Sequence, residues 1–396
     1  MSPSPEPPEA ARPIPDPNGV PLGMYVHIPY CLRKCPYCDF NSHAAKGTLP
    51  EADYLAALER ELDRWAPGAG GRRAVSVFFG GGTPSLMAPD FYAQVLARLE
   101  DRIGLAGDCE ITLEANPGAS EAARFARYRT AGINRLSIGV QSLDDGRLGD
   151  LGRIHSADDA RAAVDAARQA GFNHLNLDLM FGLPGQASAD AIDDLEALLA
   201  LGPEHVALYQ LTLEPGTVFA ARPPELPDSD TVADTEEALR GRLAQAGFGH
   251  YEVSNHARTG YECRHNRNYW QFGDYLGLGA GAHGKLTTPD GILRTRNYAG
   301  PDAYMAGAAE GGTTAEATFL DTGDAVGEFA LNALRLQEGV PVTLFRERTG
   351  LDSGHLSGPR GRAEALGLLD SDPQRLAPTE RGRAFLNDLV GLFLEG

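Results

Sequence analysis

Short apolar runs alternate with longer runs of helical period through the first two thirds of the chain. Residues 25–28, 74–79, 110–114, 135–140, 174–181 and 205–212 read as strands. Their cores, such as VSVFF, LSIGV, LNLDLMF and VALYQL, are nearly continuous in apolar residues, as strands covered on both faces are. Between them the spacing predicts helices over 52–65, 90–103, 120–131, 156–170, 189–201 and 230–246. In the first of these Tyr54, Leu55, Leu58, Leu62 and Trp65 share one face. Six strand-then-helix units call for a parallel sheet with right-handed crossovers. Periodicity alone does not separate a doubly wound sheet from a barrel. The unusual residues after almost every strand favour a partial TIM-like (β/α)6 barrel with its site at the carboxyl mouth.

The remainder reads differently. Residues 1–20 are Pro- and Glu-rich, suit neither helix nor ladder, and are expected to be disordered. Residues 248–300 hold a short strand at 251–255, an aromatic-polar run and then glycines, and complete a main domain over 21–305. From 306 to 396 helical stretches at 325–336, 342–349 and 362–368 precede a small hairpin at 369–378 and a last helix at 379–394. That order suits a compact winged-helix-like domain. Arg381 and Arg383 do not make the basic face a DNA reader needs, so packing or partner contact is its expected role.

Charge sharpens the picture. A formal net charge of −19 and 42% hydrophobic residues suit a soluble domain and argue against a nucleic-acid partner, which wants a basic face. No apolar run approaches a membrane span, and the start of the chain lacks a signal peptide's apolar core. A cytoplasmic address is expected, where thiols stay reduced.

Candidate chemistry begins at Cys31, Cys35 and Cys38, in HIPYCLRKCPYCDF. Three thiolates in one loop can face one metal centre, and soft sulfur suits an iron–sulfur cluster. Three ligands to a [4Fe-4S] cluster leave one iron open for chemistry. Zinc is the alternative, with His27 or His43 as fourth ligand; Cys109 and Cys263 are too scattered to suggest disulfides. Further candidates end the strands. Gly80-Gly81-Gly82-Thr83-Pro84 offers bare backbone to a ligand, or a plain turn. Glu114 and Asp178 are acids in apolar strands and need partners, either a ligand or a neighbouring arginine. Gln141 and Arg153 follow the fourth strand, and a lone arginine is more often simply solvated.

The spacing CxxxCxxC after a first strand resembles the radical S-adenosylmethionine (SAM) superfamily. The wider string HIPYCxxKCPYCDF resembles the branch of oxygen-independent coproporphyrinogen III oxidase and the haem chaperones of the HemW type. The resemblance covers roughly residues 23–390. It implies a [4Fe-4S] cluster on Cys31, Cys35 and Cys38, and SAM contacts from Tyr25, Tyr37, Gly81, Gly82, Thr83, Glu114, Gln141, Arg153 and Asp178. The oxidase pattern has a fourth cysteine where this chain has Phe40. His265-Asn-Arg-Asn-Tyr-Trp270 resembles the HNxxYW motif associated with haem in the chaperones, which implies His265 as a haem ligand. Read from residues alone, His265 is either an imidazole that can ligate haem iron beside the flat faces of Tyr269 and Trp270 or a satisfied structural histidine beside a buried tryptophan. Cys263 is a second conceivable axial ligand, and His283 lies on a glycine-rich edge that suits the mouth. Two functions follow from the resemblance. One is a haem chaperone that passes haem to acceptor proteins, respiratory-chain proteins among them. The other is a radical enzyme that decarboxylates coproporphyrinogen III.

Overall fold

A computed structural model describes residues 14–118 and 122–394. All six expected strands form: Leu22–Ile28 (β1), Ala74–Gly81 (β2), Leu105–Ala115 (β3), Arg135–Gln141 (β4), Leu175–Phe181 (β5) and His205–Gln210 (β6). Six helices alternate with them: Glu51–Trp65 (α1), Pro89–Arg102 (α2), Phe125–Ala131 (α3), Ala157–Gln169 (α4), Ser188–Leu199 (α5) and Ser229–Gln245 (α6). The expected start of α3 at residue 120 lies outside the described residues. Local chemistry sets several ends. Ser156 and Asp159 form a reciprocal capping box at α4, a feature worth about 1 kcal/mol.

β1 to β6 are parallel and lie side by side in chain order. A doubly wound sheet reverses its order at one point; this one does not. With right-handed crossovers throughout, every helix falls on one face, and the sheet curls into a partial barrel. The main core lies between that outer face and the helices, and includes Val26, Phe79, Leu113, Ile138, Leu177 and Val206. The alternate residues face inward, and many are polar: Ser76, Thr112, Glu114, Ser137, Asn176, Asp178 and His205. The strands are therefore less continuously apolar than their cores suggest. Their inner positions are small or polar because the barrel encloses a site.

The sheet continues beyond the six units. Gly249–Glu252 (β7) and Asn255–Ala257 (β8) form a hairpin on β6, and helix Arg264–Trp270 (α7) takes up the aromatic-polar run. Asp274–Leu278 (β9) is a seventh parallel strand, paired with β1. The antiparallel strands His283–Thr288 (β10), Gly291–Asn297 (β11) and Thr314–Phe319 (β12) follow, with helix Pro301–Glu310 (α8) packed on α1. The glycine-rich stretch was not expected to hold these strands. Asp274 anchors them: its buried carboxylate accepts from Arg72 at 2.7 Å, Lys285 at 2.9 Å and Thr287.

Because β12 belongs to this sheet, the change of core comes after Phe319 rather than at residue 306. A second core of Phe272, Phe329, Phe345, Leu389 and Phe393 joins helices Thr322–Ala333 (α9), Val342–Thr349 (α10), Gly354–Ala365 (α11) and Leu386–Leu394 (α12). The expected hairpin at 369–378 is closed by a bridge from Leu369 to Pro378, while its Arg375–Leu376 pairs with Val340–Pro341. The last helix is interrupted at Phe385, where the backbone leaves helical angles. Of the Pro-rich start, residues 1–13 lie outside the described residues. The rest departs from expectation: Pro17–Gly19 form one 3-10 turn capped by Asp16, and Val20 is buried. Arg348 of α10 fixes it by donating to the Gly19 carbonyl at 3.0 Å. Among the described residues no helix is long and apolar enough to cross a membrane.

Candidate functional site

The loop after β1 turns back across the carboxyl ends of the strands, held by the short pairing of Tyr30–Cys31 with His43–Ala44. It carries Cys31, Cys35 and Cys38, none in a disulfide. Hydrogen-bond donors are aimed at two of the sulfurs. Thr83 Oγ1 donates to Cys31 Sγ at 3.5 Å, and Arg153 Nη1 donates to Cys35 Sγ at 3.8 Å. Cys38 Sγ lies 3.8 Å from Ser42 Oγ. Burial raises the Cys31 thiol's pKa; Thr83 opposes this, and the nearby Cys38 and Cys35 add to it. Thiols this close favour the protonated form until a cation shares them.

Asn116 ties the arrangement together and went unnoticed in the sequence. Its Nδ2 donates to Thr83 Oγ1 at 2.9 Å, while its Oδ1 accepts from Arg153 Nη2 at 2.7 Å. One amide thus orients the donors of two sulfurs. The signal was present as Glu114-Ala-Asn-Pro117 at the end of a strand, but an Asn-Pro pair there also reads as an ordinary turn.

Gly82 must lack a side chain: a Cβ would stand 2.6 Å from the Tyr30 carbonyl oxygen and 3.0 Å from Cys31 Sγ. Gly81, at φ +123°, gives its N–H to Glu114 Oε2 at 3.0 Å. Glu114 and Asp178 are half-buried inside the barrel and close enough to repel. Burial first, and Asp178 second, push Glu114 up to about 8. Burial likewise pushes Asp178 up to about 6, against the Asn176 hydrogen bond and the Arg135 and Arg153 charges. Among the described residues no arginine is bonded to Glu114, whose carboxylate accepts from Gly81 instead. Two carboxylates that repel each other in an enclosed space are stabilised when a cation lies between them.

The other expected residues surround this pair. Tyr25 bonds His27 Nδ1 at 2.9 Å, and its phenol is raised by burial and by Glu114. Gln141 ends β4 with φ +69°, a conformation uncommon for a residue with a side chain. Its amide and Arg153 crowd the space above Gly139. Tyr37 lies beside Arg153 and packs on Phe219, and the Phe219 N–H reaches the Pro36 carbonyl at 3.0 Å. Arg153, far from solvated, is fully engaged.

The donor set fits a [4Fe-4S] cluster better than zinc. Among the described residues no three His, Cys, Asp or Glu side chains converge as ligands of one ion. The thiolates of a four-iron cluster each take a different iron, so they need only line one pocket. His27, a candidate fourth zinc ligand, is spent on Tyr25 and on the Asn41 carbonyl at 2.8 Å; His43 bonds Asn41 Oδ1.

His265 stands apart from the mouth. It opens α7 at the amino-terminal end of the barrel, where its backbone N–H reaches Glu110. Its ring stacks on Phe78, with centroids 4.7 Å apart, and lies against Tyr25 and Tyr269. Its Nδ1 is buried with no partner among the described residues. Burial and Arg135 push it down to about 3. In this arrangement Nδ1 is closed off by the surrounding rings. Cys263 is likewise buried, and bonded to Glu110. The aromatic motif is packing: Tyr269 stacks on Tyr275 at 4.0 Å, and Arg335 covers Trp270.

A parallel partial barrel whose mouth carries a CxxxCxxC loop, a glycine edge and two half-buried acids defines a radical SAM protein. Residues 25–198 match the radical SAM superfamily, and residues 320–385 match the HemN C-terminal domain. The coproporphyrinogen III oxidase HemN from Escherichia coli shares the fold, at TM-score 0.81 and 24% identity over 94% of this chain and 90% of that one. Heme chaperone HemW from Escherichia coli K12 is 46% identical over 94% of this chain and 98% of its own. The protein of the same name from Mycobacterium tuberculosis H37Rv is 40% identical over 95% of each. The chain belongs to the HemW family.

Proposed function

We propose that this protein is a haem chaperone of the HemW type, which binds haem and passes it to acceptor proteins in the cytoplasm. The observation that carries the reading is the similarity to heme chaperone HemW along nearly the whole of both chains. Phe40 at the place of the oxidase's fourth cysteine supports it. So do exposed apolar side chains in the segments that follow the strands: Leu32, Phe40 and Ile154 on loops, and Val218 at the start of a short helix. Such side chains at the strands' carboxyl ends suit a flat hydrophobic ligand or a partner surface. Haem is assigned to that end of the molecule and not to His265.

Cys31, Cys35 and Cys38 would hold a [4Fe-4S] cluster. Gly81, Gly82, Thr83, Glu114, Gln141, Arg153 and Asp178 would hold SAM, with Tyr25 and Tyr37 beside them. Together these groups supply one-electron chemistry when bound. The protein's own share is to orient and to exclude water. Thr83 and Arg153 direct N–H and O–H donors at the sulfurs, Glu114 offers a carboxylate to an ammonium, and Asp178 accepts from hydroxyls.

The test is haem titration of the anaerobically reconstituted protein, followed by transfer to an apo-haem protein, beside an assay of coproporphyrinogen III turnover under reducing conditions. Haem binding and transfer without turnover are expected. Robust turnover would make it the oxidase instead.

A further inference from the structure

We propose that Asn176, His205 and Tyr251 are positioning residues for Asp178, forming a hydrogen-bond chain from the barrel floor that donates toward its carboxylate and aims it at a ligand's hydroxyls. The inference rests on the reading of the mouth as a SAM site and names residues that reading does not use.

The chain is a product of register. Glu114 lies opposite Ser137, Ser137 opposite Asn176, and Asn176 opposite His205, across β3 to β6. All four point inward in one row, and Asp178 is two residues along β5 on the same face. Asn176 Nδ2 donates to Asp178 Oδ1 at 2.7 Å and to Ser137 Oγ at 2.8 Å. Asn176 Oδ1 is 2.6 Å from His205 Nδ1, and His205 Nε2 is 2.9 Å from the Tyr251 hydroxyl. Asn176, His205 and Tyr251 are all buried.

Only one arrangement of protons satisfies this chain when Asp178 is ionised. A carboxylate only accepts, so Asn176 must turn its amino group to it. The amide oxygen then faces His205 Nδ1, which must carry the hydrogen. His205 Nε2 is left with a lone pair, which takes the Tyr251 O–H. The Tyr251 oxygen can accept in turn from Cys263 N at 3.4 Å. Burial, Arg135 and His256 hold His205 far below its ordinary pKa, so the imidazole is neutral, as this pattern requires. Each donor fixes the next acceptor, and the last donor is spent on Asp178.

A row of cross-linked polar residues also serves simply to stitch strands, and the experiment must tell the two apart. The groups facing Asp178 are Glu114 from β3, Arg135 from β4, Arg153 from the loop after β4, Asn176 from its own strand and Tyr209 from β6. SAM affinity of the reconstituted full-length protein is measured by equilibrium dialysis from pH 5 to 8.5, with iron content and visible spectrum as controls. In the wild type, affinity strengthens as pH rises through about 6, where Asp178 loses its proton. Glu114 titrates higher, near 8, and gives a separate limb. Asn176→Ala removes a donor to the ionised form, so the lower midpoint moves up by about one pH unit and binding at pH 6 weakens roughly fivefold. Tyr251→Phe shifts it less, in the same direction. His205→Gln, which keeps an N–H for Asn176, stays nearer the wild type than His205→Leu.

Unmoved midpoints in these variants, with cluster intact, would overturn the proposal and leave the SAM site standing. If Asn176→Ala fails to fold, Tyr251→Phe and the two His205 variants decide. A wild type with a full complement of iron that binds no SAM at any pH would overturn the site reading and this inference with it.

Discussion

Replacing Glu114 by glutamine is expected to make the ligand-free protein more stable while spoiling its site. The carboxyl rises from its ordinary value of 4.5 to about 8 because it is buried and faces Asp178. Above pH 4.5 the unfolded chain releases this proton, whereas the folded chain keeps it until about pH 8. The folded state therefore loses stability as pH rises between those values, by about 1.4 kcal/mol per unit. Relaxation and water entry reduce the full sum, and we take about 2–4 kcal/mol at pH 8. Glutamine carries no such penalty: its oxygen still accepts the Gly81 N–H, and its amino group donates toward Asp178. The assay is the apparent thermal midpoint of apo wild type and Glu114→Gln at pH 5, 6, 7 and 8. The two should nearly coincide at pH 5 and separate progressively as pH rises, with the variant higher. SAM binding by the same variant should fall at least tenfold, since an ammonium loses its counter-charge. A variant no more stable at pH 8, or a gap independent of pH, would refute the electrostatic argument; unchanged SAM affinity would refute the role of Glu114.

Other perturbations test other parts. Alanine at Cys31, Cys35 or Cys38 should abolish the brown absorbance and lower bound iron; an unchanged iron count would end the cluster reading. Asn116→Ala frees Thr83 and Arg153 from their common anchor, so the cluster should reconstitute poorly and bleach faster in air, and wild-type kinetics would refute the anchoring. His265→Phe preserves the aromatic stack and should leave haem affinity unchanged, whereas His265→Ala opens a cavity and should cost about 2–4 kcal/mol of stability. Loss of haem binding in His265→Phe would return the iron to that residue.

Much of the candidate site was legible because strand ends in a parallel barrel converge whatever their separation in sequence. Once six strands are placed, Cys31, Gly82, Glu114, Gln141, Arg153 and Asp178 must meet at one mouth. The position of His265 was not legible for a related reason. It lies ahead of β9, a strand hidden in a glycine-rich stretch, so nothing local revealed that α7 seals the opposite end of the barrel. Asn116 was missed because its value lies in what its two amide ends touch, and a side chain's partners are not written beside it.

The sequence by itself determined the six strand-then-helix units, their parallel sheet and the cysteine loop, since these follow from periodicity, local turn chemistry and spacing between near neighbours. Only the tertiary structure decided which inward residues share a row, how Asn116 couples two sulfurs, and that the HNxxYW segment packs against the amino-terminal end of the barrel. Those outcomes depend on register and on contacts between residues scores of positions apart, which hydrogen-bond geometry and close packing select after the strands have closed.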